Sequence, residues 1–255
     1  MPIGRHGAAF IVLSAALSAC TSAELGNSAD GGSRDAGNPS SDASGDNRAD
    51  AGGADPPIDA EPPGPDAGLV RLTLSRSQDI VGRTGVNCLD RGVHSYYRVF
   101  DLAELGVTGP FDVEKVTFGV EGCSSGEGGL DATVVLSTLA GELRLANLTR
   151  LESADTVIPD VAFSAPGALG GRLHEVPIFA RAPAGSLLVV EVAHLGLREG
   201  QELIMGSNKA GQDGPTFLRA PACDTDEPIE TDEIVVGGEN VIMHWVVAID
   251  GRPGS

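Results

Sequence analysis

Between residues 69 and 249, apolar positions recur at every second residue or in short unbroken runs, and clusters of Gly or Pro separate nearly all of them. Alternation is clearest in Leu69–Leu74 and Val113–Val120, as in strands with one buried and one wet face. Tyr96–Leu102, Ala132–Leu139, Arg172–Phe179, Ser186–Val192 and Val241–Ile249 are compact, β-branched or aromatic runs of strand length. Only Asp101–Leu105 reads as a single helical turn. Eight to ten strands without helical crossovers predict an all-β fold, an antiparallel β-sandwich of jelly-roll type, over residues 68–252. A chain of that length buries a sufficient core.

Upstream of this domain the pattern disappears. Of the 47 residues from 21 to 67, 37 are Ala, Gly, Ser, Asp or Pro, and Leu25 and Ile58 are the large aliphatics. Such a segment cannot bury enough apolar surface to offset its ordering entropy, so a disordered linker is expected. It carries ten acids and two bases, and residues 68–252 carry 26 acids and 14 bases. Both parts are therefore strongly acidic, within a formal net charge of −19 for the 255-residue chain. That charge excludes a nucleic-acid partner held through a basic face. No apolar run reaches the ~20 residues of a membrane-spanning helix.

The N-terminus has the layout of an export signal. Arg5 and His6 precede an apolar run, Gly7–Leu17, which is too short to span a bilayer. The run ends in Leu17-Ser18-Ala19-Cys20, which resembles the lipobox of bacterial lipoproteins. The resemblance implies that residues 1–19 are removed and that Cys20 is acylated and anchors the chain in a lipid membrane. Acyl chains at ~0.8 kcal/mol per buried methylene hold such a protein firmly. Thr21 stands where inner-membrane lipoproteins typically carry Asp, so the resemblance points to the outer membrane or cell surface, with residues 21–67 as a spacer.

The folded part resembles a β-sandwich module of secreted, multidomain bacterial proteins. The resemblance rests on Ser95–Leu102, Pro183–Val192, Ile204–Asn208, Ala210–Gln212, Pro215–Ala220 with Cys223, and Met243–Val246. It implies a fold and an accessory role without assigned catalytic residues. The module's cysteine pattern also implies a disulfide between Cys88 and Cys223, leaving Cys123 free. An 88–123 pair is the alternative, because an exported protein meets an oxidising compartment and three cysteines cannot all pair.

Chemistry-bearing motifs are scarce. The chain has no His-Glu-x-x-His pair, no phosphate-binding Gly-x-x-x-x-Gly-Lys and no Cys-x-x-Cys. His94, His174, His194 and His244 are scattered, without metal-ligand spacing. Residues 224–233 hold six acids, and Asp224, Asp226, Glu227, Glu230 and Asp232 form a candidate oxygen-ligand set for calcium. A solvated acidic loop explains the same residues. Asn208 and Gln212 are candidate readers of ligand hydroxyls, although their turn-rich surroundings explain them equally well. Tyr96, Tyr97, Phe217 and Trp245 could line a sugar site or fill the core. The expectation from these features is a non-catalytic binding or structural head, with polysaccharide or an envelope protein as partner. A hydrolase of envelope or secreted polymers and a purely structural coat protein are the alternatives.

Overall fold

The computed structural model describes residues 68–88, 92–126, 128–236 and 239–254. The expected signal peptide, Cys20 and the spacer lie outside the described residues. Thirteen strands run in chain order among those described. They are β1 (Val70–Thr73), β2 (His94–Asp101), β3 (Phe111–Ser124), β4 (Leu130–Leu139), β5 (Leu148–Ile158), β6 (Arg172–Ala182) and β7 (Leu187–His194). Then follow β8 (Glu202–Met205), β9 (Thr216–Ala220), β10 (Thr225–Glu230), β11 (Val235–Val236), β12 (Glu239–Asn240) and β13 (Val247–Pro253).

These strands form an antiparallel β-sandwich. One sheet has the order β10-β9-β2-β7-β4-β5, and the other has β1-β13-β3-β6 with β8 paired to β3. Successive strands cross between the sheets, as in a jelly roll: β2 lies in the first, β3 in the second, β4 and β5 in the first, β6 in the second and β7 in the first. Alternation along each strand builds the core between the sheets. Tyr96 and Phe100 of β2, Val134 and Leu136 of β4, and Leu188, Val190 and Val192 of β7 point inward from the six-stranded sheet. Val116 and Phe118 of β3, Val176 and Ile178 of β6, and Val247 and Ile249 of β13 meet them. Trp245 is completely buried in this layer.

The predicted runs match strands with local departures. Asp101–Leu105 makes one turn, with the Leu105 N–H donating to the Asp101 carbonyl at 3.0 Å. Val241–Ile249 is strand only from Val247. Residues 241–246 are irregular chain that buries Met243, Trp245 and Val246, and there the Val246 N–H donates to the Gly206 carbonyl and the Asn208 N–H to the His244 carbonyl. The backbones are close there, and a Cβ on Gly206 would lie 2.8 Å from the carbonyl carbon of Gly119. The acidic stretch 224–233 is not an open loop. Its first half is the edge strand β10, paired to β9, and Thr231–Glu233 makes a 3-10 turn.

The disulfide joins Cys88 to Cys223 with Cα atoms 6.3 Å apart. It ties the segment before β2 to the turn after β9. Cys123 is a buried free thiol, so the 88–123 alternative is not formed.

Candidate functional site

Strand periodicity gives the six-stranded sheet a second face, directed away from the core, and part of that face is also apolar. Tyr97, Val99, Leu187, Val189, Val135, Leu139 and Phe217 alternate with the inward residues of their strands. Register sets them side by side. Glu230, Phe217, Tyr97, Glu191, Val135 and Ser153 are consecutive partners across all six strands. A sheet with one wet face shows polar alternation, whereas two apolar faces require continuous apolar strands. Leu187–Val190 and Val134–Leu136 are such runs.

Tyr97 is buried on this face, and its phenol donates to Glu191 Oε1 at 3.0 Å. Burial, then the neighbouring Glu191 carboxylate, pushes the phenol pKa well above its ordinary value. Tyr97 and Phe217 are thus brought together as a cross-strand pair, while Tyr96 and Trp245 belong to the core.

Toward the ends of β2, β4 and β7 the face opens into a groove of about 410 Å³. Val99, Leu139, Leu187 and Phe217 form its floor, and Leu74, Leu105, Leu143 and Pro215 form its walls. All eight are partly or fully exposed. Asp101, Glu104 and Asp213 stand at the groove, and no Lys, Arg or His lines it. Asp101 Oδ1 accepts the Ala103 and Glu104 N–H groups, capping the turn that carries Leu105. Asp213 accepts from Arg76 Nη2 at 2.7 Å. Glu104 makes no ion pair among the described residues.

One groove wall is held in place by a buried cation. Arg98 points inward from β2 and is fully buried. Its Nη1 donates to Gln212 Oε1 at 2.5 Å and to Thr216 Oγ1 at 2.8 Å, and its Nη2 donates to the Asp213 carbonyl at 3.0 Å. Burial lowers the guanidinium pKa to about 10, partly opposed by the Asp213 charge. Composition gave no sign of this role, because an arginine within a β-rich run reads as one of the wet positions.

These contacts also place the two candidate ligand-reading amides. Gln212 Oε1 is occupied by Arg98 and by Thr216 Oγ1. Asn208 is buried, its Nδ2 donating to the Ser77 and His244 carbonyls and its Oδ1 accepting the Gly211 N–H. Both residues close the 207–216 turn internally.

The five candidate calcium ligands are dispersed. Asp224 takes a left-handed conformation at φ 58°. The Asp226 carbonyl accepts from Arg219, and Glu227 Oε2 accepts the Leu145 N–H at 2.9 Å. Glu230 and Asp232 do meet, in a hollow of about 320 Å³ that also includes Gln212 and His244. Burial, followed by the charges of Asp232 and Glu233, raises the Glu230 pKa. Among the described residues no three His, Cys, Asp or Glu side chains converge as a metal-binding group. The edge-strand conformation explains the dispersal, since successive side chains of β10 point to opposite faces.

Nor does a serine or cysteine nucleophile meet a base at this strand. Ser186 and His194 lie at opposite ends of β7, roughly 25 Å apart along the strand. Burial, and then Asp160, pushes the Cys123 thiol up to about 11, away from thiolate chemistry. A larger hollow of about 530 Å³ lies at the opposite end of β7, beside Asp131, Leu195 and Arg198. Glycines and the exposed 195–201 turn make up much of its wall, so it offers less contiguous apolar surface than the groove.

No protein-family model and no curated protein matches the chain. The groove therefore has to be interpreted from its own chemistry.

Proposed function

We propose that this protein is a surface lipoprotein, anchored through acylated Cys20, whose β-sandwich head binds a segment of an envelope protein without catalysing a reaction. The groove on the outer sheet face carries this reading. Its contiguous, partly exposed aliphatic side chains would release water on contact, at roughly 25 cal/mol per Å² of apolar area. Half-exposed apolar side chains gathered in a concave site are what binding pockets present. Leucine and valine walls suit apolar side chains better than a polysaccharide, which needs flat aromatic platforms and polar groups around its hydroxyls. Asp101 and Asp213 already serve structural hydrogen bonds, which favours binding over acid–base chemistry.

The test pairs a peptide array with a glycan array, probed with the full-length protein and with the Leu105→Ser/Leu143→Ser variant. Peptide binding that the variant loses is the expected result. Glycan binding that the variant retains, without any peptide binding, would overturn the protein-binding reading. Anchoring is tested separately by incorporation of labelled palmitate, which Cys20→Ser should abolish.

A further inference from the structure

Resting on that reading, we infer that the segment bound in the groove is cationic as well as apolar, with Lys or Arg flanking its buried side chains. The groove joins an aliphatic interior to a one-signed rim. Asp101, Glu104 and Asp213 line it, and no basic residue does. Arg76 partly neutralises Asp213 from outside the lining, and Asp101 spends one oxygen on its turn, but Glu104 is exposed and makes no ion pair among the described residues. The surrounding domain adds to the bias, with 26 acids and 14 bases between residues 68 and 252.

Charge of this arrangement selects more than it binds. An acidic segment would bring like charges to a low-dielectric edge, whereas a basic one would be steered to it and oriented by it. An uncharged apolar segment would gain burial but no steering. A purely basic, polar segment would feel the rim but leave the aliphatic floor in water. The cationic, apolar combination satisfies both parts of the groove.

The probes are three fluorescent peptides: alternating Lys and Leu, alternating Glu and Leu, and alternating Lys and Ser. Anisotropy titrations use the full-length protein at low and high NaCl. The Lys/Leu peptide should bind tightest and weaken with salt. Glu104→Lys should weaken it about fivefold, the scale of one exposed charge pair counted twice on reversal. Leu143→Ser should weaken it about tenfold through lost apolar contact. Leu143 lies in the loop between β4 and β5, so this change leaves every strand intact. Circular dichroism of each variant separates lost binding from lost folding.

If the Glu/Leu peptide binds as well as the Lys/Leu peptide, with binding sensitive to Leu143→Ser, the cationic preference is wrong while the groove still binds peptides. If the Lys/Ser peptide matches the Lys/Leu peptide and ignores Leu143→Ser, binding is diffuse electrostatics and the inference fails. If no peptide shows groove-dependent binding, both the inference and the reading beneath it fail.

Discussion

Acidification should destabilise this fold through one identifiable side chain. His94 and His194 are register partners on β2 and β7, with ring centroids 4.7 Å apart. Both are buried, and neither ring nitrogen of His194 has a hydrogen-bond partner. Burial, reinforced by His94, lowers the His194 pKa from 6.5 to about 3. Between those values the unfolded chain binds a proton that the folded chain refuses, so stability falls as pH falls through this window. At pH 5 the linkage cost of this residue is about 2 kcal/mol relative to pH 7.5, and at pH 3 it approaches about 4 kcal/mol. The assay is urea denaturation of the full-length protein at pH 7.5 and 5.0, beside His194→Phe. Phenylalanine keeps an aromatic ring against His94 and cannot take the proton. The loss between the two pH values should be smaller in the variant by about 2 kcal/mol. Parallel losses, agreeing within about 0.5 kcal/mol, would refute the assignment, because His194 would then titrate alike in both states.

Other expectations concern the supports of the groove and the core. Replacing Cys88 and Cys223 by Ser frees a loop spanning 135 positions; denaturant unfolding should show a loss of up to about 5 kcal/mol in the chain-entropy estimate. Arg98→Met removes the donor that Gln212 Oε1, the buried Thr216 hydroxyl and the Asp213 carbonyl share. It should cost about 3–5 kcal/mol, and hydrogen exchange should rise first in the 207–216 turn that walls the groove. Gly206→Ala forces a methyl against the Gly119 backbone and should lower the thermal midpoint, with a cost of about 1–3 kcal/mol. Alkylation mapped by mass spectrometry should find Cys123 unreactive at pH 7.5 in the folded protein and modified after denaturation, in keeping with a buried thiol whose pKa lies near 11.

The strand content was legible because its signal is local. Alternation in Val113–Val120 and the runs at Ala132–Leu139 and Ser186–Val192 carry the same information in a sequence as in a sheet. Edge strands were harder to see. Leu148–Ile158 mixes Thr, Arg, Glu, Ser and Asp among its aliphatics, because an edge strand keeps much of its surface in water. Residues 225–230 hid behind their acidity for the same reason. The apolar outer face did leave a trace in the unbroken runs of β4 and β7. Which residues share that face, and where it opens, depends on register between strands far apart in the chain.

The sequence by itself determined the β architecture and the acidic balance of the chain, both of which follow from the composition and period of contiguous residues. Tertiary structure decided the rest. Cys88 meets Cys223 across 135 positions, Arg98 reaches the 212–216 turn, and Leu139, Leu187 and Phe217 come together from three strands to form one groove. Residue spacing along the chain does not encode these pairings. They are selected when the two sheets pack, since a single registered arrangement buries the inward side chains of both at once.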